Sequence, residues 1–418
     1  MSRLPPVRSS RAEAERRLSV SWIAIKMLMG DRAKFLGIVI GLTFAALLIN
    51  QQGSIFCGLM LRTCGQVTDI TGADLWVMDP AVRYIDDVKP MLENNLNRVR
   101  GVEGVLWAVP LYKGNARAKI NPDVARGNHP TVIEQVILLG LDDTSLVGAP
   151  HRSKILAGSL RDLRQPDAVI VDNVRLEKLY PKENWNELRK LGNAFYQRFL
   201  RRQFEMNDHR AIIVGVCVAT PTFQSNPVVY TTYARAKSFA PQERKILSYV
   251  LAKAVPGVAP QIVASRIADQ TGLKAVSSEQ FMWNTIEYYL KYTGIPFNFG
   301  ITALLGFLVG TAIAGQTFYN FTIENLKQFG TLKAMGMTNR QIVGMILLQA
   351  TVVGLLGYGI GVGLAALFGW QVQGTELAFF TPWWLLPITA AAIILICILS
   401  SLMSVQRVVR LEPAIVFR

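Results

Sequence analysis

Charge is scarce in this chain. Asp, Glu, Lys and Arg make up only 17% of its 418 residues, against about 25% in an ordinary soluble domain. Histidine is scarcer: His129, His151 and His209 are the full set, and none stands near a nucleophile motif. There is no HExxH pair for zinc, no GxSxG elbow and no GxxxxGK[ST] loop to cradle a triphosphate. Their absence removes zincin and serine-hydrolase chemistry and any Walker-type ATP site, so the chain reads as a non-catalytic one with no metal site. Cysteine numbers four, with no CxxC or Cys/His zinc spacing. Cys217 lies in an apolar strand-like run, and Cys397 reads as a small apolar residue within a long apolar run. Cys57 and Cys64 have six residues between them, which allows a bridge in a loop. On one continuous helix they stand about 10 Å apart along the axis, too far for a disulfide, so their pairing stays open.

What the chain has instead is long apolar runs. Ile295–Tyr319, Ile342–Gly374 and Leu377–Gln406 carry no charge, and each exceeds the roughly 20 residues that cross a bilayer. Phe35–Ile49 is shorter and spans only if the helix continues through Asn50, Gln51 and Gln52. The leader before it is too long and lacks the small-residue cleavage site of a signal peptide, which favours an uncleaved first span. The net charge of +15 is unevenly placed. Residues 1–34 hold eight Lys/Arg against three acids, and 320–341 hold Lys327, Lys333 and Arg340 against Glu324. The tail holds Arg407, Arg410 and Arg418 against Glu412. The positive-inside rule puts both termini and the 320–341 connection in the cytoplasm and the segment 53–294 outside. That distribution also accounts for the basicity without a nucleic-acid partner. Trp370, Phe379, Phe380, Trp383 and Trp384 cluster at the outer end of the last two spans, as an interfacial belt would.

The expected organisation follows. It comprises a cytoplasmic leader 1–34 with an interfacial helix carrying Trp22, Ile25 and Met29 opposite Lys26, a first span 35–56, and a large α+β domain 57–294. A second span 295–320, a cytoplasmic elbow 321–341, a third span 342–370, a short outer loop 371–382, a fourth span 383–404 and a tail 405–418 complete it. Within the domain, "ADLWVMDP" (73–80) alternates like a strand, 86–101 reads as helix and 102–120 as strand. Strand 246–254, helix 259–272 and short strand 273–278 repeat the pattern, followed by helix 279–294 running toward the second span. Two such halves suggest a split ferredoxin-like module. Residues from about 142 to 240 then read as an insertion, with strands in 167–173, 210–218 and 226–234.

Small residues recur every fourth position in the spans: Gly37, Gly41 and Ala45; Gly306, Gly310 and Ala314; Gly357, Gly361 and Ala365, interleaved with Gly359 and Gly363. That spacing lets helix backbones approach closely, within one chain or between two. Gln316 and Gln349 inside spans suit interhelical hydrogen bonds. In "ENLKQFGTLKAMGMTNRQ", residues 324–341, the second span can continue as a helix to Gly336, a natural stop. Thr338 to Gln341 then forms a capping box that starts the third span. Leu326, Phe329, Leu332 and Met335 would make an exposed apolar ridge beside Glu324, Lys327 and Lys333, covered by a partner or by lipid headgroups.

Those residues carry a resemblance. "ENLKQFGTLKAMGMTNRQIVGMILLQATVVGLLGYGIGVGLA", the tail "RVVRLEPAIVFR" and the opening "SWIAIKMLMGDRAKFLGIVIGLTFAALLI" resemble the MacB/FtsX-type permeases of ABC transporters. "TDITGADLWVMDP" and "NLKQFGTLKAMG" look most like the DevC-like branch. Lys327 and Gln328 stand where the family often has Arg-Glu, which puts a salt bridge to a partner at that point in doubt. The resemblance implies a MacB-type periplasmic domain of the ferredoxin-like, porter kind and a homodimer with eight spans in a bacterial inner membrane. It implies a separate subunit that binds ATP and Mg and grips Glu324, Leu326, Lys327, Phe329, Leu332, Lys333, Met335 and Gly336. Nucleotide-driven closure would be passed mechanically to the domain, which would meet a periplasmic adaptor and an outer-membrane channel for efflux. The alternative is an FtsX-like signalling scaffold that activates an external enzyme without transporting anything.

Overall fold

The computed structural model describes residues 22–120, 132–180, 193–241, 246–373 and 375–409. The leader up to residue 21, His129 and the tail from 410 lie outside the described residues. The described chain forms two compact units, one of residues 1–58 with 294–418 and one of residues 59–293.

The first unit is helical. α1 covers 22–30, with Trp22 and Met29 exposed and Ala24 and Leu28 buried. α2 runs Arg32–Thr63, without a break at the Asn50–Gln52 amides. Cys57 therefore sits on a helix that ends one residue before Cys64, and both thiols are free. The elements of this unit later in the chain are four further helices, numbered below after those of the domain. Their longest members, with α2, make four helices long and apolar enough to cross a membrane, which makes this a membrane protein.

The second unit is α+β. In chain order it holds α3 (Gly65–Asp69), β1 (Leu75–Met78), α4 (Asn94–Arg100), β2 (Val105–Ile120) and β3 (Val132–Leu141). Next come β4 (Ile155–Gly158), β5 (Ala168–Asp172), α5 (Leu176–Leu179), α6 (Asn193–Tyr196), β6 (Gln203–Met206) and β7 (His209–Cys217). β8 (Val228–Thr232), α7 (Tyr233–Phe239), β9 (Tyr249–Ala254), α8 (Pro260–Thr271), β10 (Lys274–Ser277) and α9 (Ser278–Tyr292) complete it. The sheet order is β10-β1-β9-β2-β3-β8-β5-β7-β4, with β6 bridging β2 and β7. Its first four strands, ranked by position in the chain, lie 4-1-3-2, the order of a ferredoxin-like split βαβ.

β2 belongs to two sheets at once. Val105–Leu111 pairs with β9, and Tyr112–Ile120 pairs with β3. This moves the start of the insertion: β3 joins the inserted strands, so the insertion opens at the far half of β2 and not near residue 142. The helix expected over 86–101 is also shorter, with helix only at Asn94–Arg100. Pro90 disfavours helical backbone at Lys89, and Met91 forms an isolated bridge with Leu247. Within β1, Leu75 and Val77 enter one apolar cluster while Trp76 and Met78 enter another. The period of two thus serves a strand buried on both faces.

Asp172, closing β5, is a charge placed against this background, at 1% exposure. Its Oδ1 accepts from the Val174 and Ala219 N–H groups, at 3.1 and 3.4 Å. Burial pushes its carboxyl up to about 6, with those N–H groups and Arg175 pulling the other way. The folded state therefore holds a proton that the unfolded chain releases near pH 3.9. This group's contribution to stability falls as pH rises from about 4 to about 6 and is flat above. Asp172→Asn should remove that dependence. The difference in unfolding free energy between variant and wild type should shift in the variant's favour by roughly 2 kcal/mol between pH 4 and 7. A difference that stays constant across melts at those pH values would contradict it.

Candidate coupling elbow

The remaining helices of the first unit are α10 (Ile295–Glu324), α11 (Leu326–Ala334), α12 (Asn339–Gln371) and α13 (Leu385–Val409). α2 lies against α10 on one side and α12 on another, and glycine makes both contacts possible. A Cβ added at Gly41 would stand 2.6 Å from Ile313 Cγ2, and one at Gly310 would stand 2.4 Å from Ala45 Cβ. Gly306 meets Leu48 at 3.0 Å, and Gly37 meets Thr317 at an ordinary 3.6 Å. Toward α12, Gly357 faces Leu42 at 2.6 Å and Gly361 faces Ala46 at 2.6 Å. Gly359 and Gly363, the interleaved pair, meet nothing within 4 Å. Gln349 donates from Nε2 to the Ala24 carbonyl of α1 at 2.8 Å. Gln316 does not reach another helix; its Nε2 points to Asn320 Oδ1, one turn on, at 3.4 Å.

The elbow itself is not a continuation of α10. Asn325 interrupts the helix at φ −90° and ψ 8°, and its Nδ2 donates back to the Phe321 carbonyl at 2.8 Å. α11 follows and ends in a Schellman turn: Met337 N–H donates to Leu332 O (3.1 Å) and Gly336 N–H to Lys333 O (3.0 Å). Gly336 sits at φ +93°. The Thr338 and Gln341 side chains form the reciprocal capping box of α12. The second turn of this elbow is thus built from two local motifs, both written in consecutive residues. Gly336→Val should cost about 1–2 kcal/mol locally, because a branched side chain resists that φ. Faster amide exchange over residues 330–340, with the spans unchanged, is the expected reading; unchanged exchange there would rule it out.

The apolar ridge is not as the spacing suggested. Phe329 is 0% exposed and packs with Ile342, Ile346 and Val408, with Met27, Met337 and Val405 beside them. α12 and α13 cover this face of α11, so the ring is enclosed rather than exposed. Leu326 and Leu332 are half-buried, and Met335 is exposed at 68%. Lys327 is exposed, and Lys333 reaches the Val409 carbonyl at 3.4 Å. Glu324 pairs with Lys34, which also pairs with Asp31. A groove of about 500 Å³ opens beside this pair, lined by Ile23, Lys26, Met27, Gly30, Asp31, Glu324, Asn325 and Gln328. Lys34, Asp31 and Met27 were not among the candidates from sequence, since nothing local links them to residues some 290 positions away.

The first unit thus holds four long apolar helices, with the α+β domain following the first of them in the chain and a capped elbow following the second. Residues 248–413 match the family described as FtsX-like permease C-terminal. Its relatives include an uncharacterized ABC transporter permease of Mycobacterium bovis, 32% identical over 117 residues, which are 28% of this chain and 33% of that protein. Another, from Mycobacterium tuberculosis, is 34% identical over 121 residues, again 28% of this chain and 33% of that one. The match thus covers about a third of the length of these relatives. Among solved structures, the extracellular domain of the noncanonic ABC-type transporter YknZ from Gram-positive bacteria is 16% identical. That likeness covers 49% of this chain and 98% of that one at a TM-score of 0.31. The periplasmic region of MacB from Actinobacillus actinomycetemcomitans is 13% identical, over 53% and 95%, at a TM-score of 0.34.

Proposed function

We propose that this chain is the membrane subunit of an ABC-type exporter and does not itself hydrolyse ATP. A separate subunit that binds ATP and Mg docks at the elbow, on the groove between α1 and the start of α11. It engages Glu324, Leu326, Lys327, Leu332, Lys333, Met335 and the turn at Gly336. Phe329 serves from behind, fixing α11 to α12 and α13. The observation that carries this reading is the elbow: a short helix held by a Schellman turn and a capping box, preceded by the Glu324–Lys34 ion pair at the end of α10, with polar groups and one exposed Met on its free side. A lever needs such rigidity, since a floppy connection would absorb the motion it is meant to pass on.

Two copies form the transport unit in a bacterial inner membrane, with both termini and the elbow cytoplasmic and the α+β domain outside. The domain moves with the nucleotide cycle and works with a periplasmic adaptor and an outer-membrane channel to expel substrate. The absence of Asp, Glu, Lys and Arg from Ile295–Tyr319, Ile342–Gly374 and Leu377–Gln406 supports efflux from the outer side over passage of a polar solute between the helices. Purification of the complex from its native membrane tests the reading. An ATP-binding subunit and an adaptor should accompany the chain. A cell-wall hydrolase in place of the adaptor would favour a signalling scaffold, and the lack of any ATP-binding subunit would overturn both.

A further inference from the structure

α3 and α9 are the first and last helices of the domain, next in the chain to α2 and α10, and the two are fastened to the domain differently. α3 follows α2 after the single residue Cys64. It is five residues long, and its apolar neighbours Val67 and Ile70 are buried by contacts that have no preferred direction. Asp69 supplies the direction. At 7% exposure, its Oδ1 accepts from Lys154 Nζ (2.7 Å) and Thr220 Oγ1 (2.8 Å), and its Oδ2 accepts from Thr220 N (2.6 Å). Lys154 leads into β4, and its own carbonyl accepts from Val218 N at 2.7 Å. Thr220 follows β7. Gly65 permits the approach, since a Cβ there would stand 2.6 Å from Thr220 Cγ2. One carboxylate therefore ties α3 to the outer strands of the inserted sheet.

α9 is held by the other half of the domain. Thr285 Oγ1 accepts from Ile85 N at 3.3 Å, and Tyr289 OH donates to Asp86 Oδ2 at 3.5 Å. Lys113 of β2, buried, donates to Ile85 O at 3.0 Å and pairs with Asp86. Burial pushes the Lys113 ammonium below its usual range, with Asp86 opposing.

We infer that Asp69 is the positioning residue through which displacement of the first span reaches the inserted sheet, while α9 carries the second span's motion to the ferredoxin-like half. This rests on the proposed function. Charge-assisted bonds of fixed direction resist sliding where apolar contacts do not, so the clamp transmits a push or a twist of α3 to β4 and β7.

The test is amide exchange on the intact complex of full-length chain and ATP-binding subunit in nanodiscs, nucleotide-free and trapped with ATP and vanadate. In wild type the trapped state should change exchange at the elbow, 324–337, and at 155–158 and 218–222. Asp69→Asn should keep the elbow change and lose the one at 155–158 and 218–222, with nucleotide-free exchange in β1, β2 and β9 unaltered. Lys154→Met should do the same from the other side of the bond, and Lys154→Arg should retain the response. A response at 155–158 that survives Asp69→Asn overturns the inference, as does a general rise in exchange across the domain without selective loss. A wild-type elbow that does not respond would instead overturn the proposed function, and the inference with it.

Discussion

Gly361→Leu is expected to break the membrane unit, whereas Gly363→Leu, two residues on and facing the other way on the same helix, is expected to be harmless. At Gly361 a Cβ alone would lie 2.6 Å from Ala46 Cβ, 2.7 Å from Thr43 O and 2.9 Å from Leu47 N. Two of those three are backbone atoms, which cannot rotate out of the way. Overfilling a packed contact costs about 1–3 kcal/mol and occasionally more, and an isobutyl group against helix backbone belongs at the upper end. At Gly363 nothing lies within 4 Å. There the substitution also removes glycine's helix penalty of roughly 0.8–1.0 kcal/mol, so the sign of the effect reverses. Thermal melts in detergent, with Cys397 reactivity as a reporter of opening since that thiol is 7% exposed, should separate the two variants. Equal behaviour would mean that α2 and α12 do not meet at this point.

Phe329→Asp and Met335→Asp separate internal packing from partner docking at the elbow. The Phe329 ring is enclosed by Ile342, Ile346 and Val408. Removing a buried aromatic ring costs about 3–5 kcal/mol, and a carboxylate in the same place adds a desolvation cost. The expected result is a chain whose elbow detaches from α12 and α13 and whose melting temperature falls, with or without any partner. Met335 is 68% exposed, and surface changes of this kind stay within about 0.5 kcal/mol. Its aspartate variant should melt like wild type yet bind the proposed ATP-binding subunit at least about tenfold more weakly, a loss of about 1.4 kcal/mol. A Phe329→Asp protein as stable as wild type would contradict the packing. A Met335→Asp protein with undiminished binding would remove that side chain from the docking surface.

The two motifs of the elbow were legible because each is made by neighbours in the chain. Gly336 as a helix stop and Thr338–Gln341 as a capping box need only backbone geometry within a few residues, and both are in place. The ridge was misread at Phe329 because spacing within one helix does not show which later helices will pack on it. Ile342, Ile346 and Val408, from the two helices that follow in the chain, cover the Phe329 ring. In the domain, Pro90 cut a helix that periodicity alone extended. β2 carried a sheet boundary in its middle, where no turn residue marks it.

Apolar length and charge placement alone determined that the chain has four spans, a large insertion after the first and a polar bend after the second, because burial of apolar surface in hydrocarbon depends on composition and not on partners. Tertiary structure decided the rest: that Gly361 and not Gly363 meets a neighbouring helix, that Phe329 faces inward, that Lys34 answers Glu324, and that Asp69 joins Lys154 and Thr220. These are contacts between residues tens to hundreds of positions apart, and a pairwise contact of that kind leaves no periodic trace in either partner's own segment.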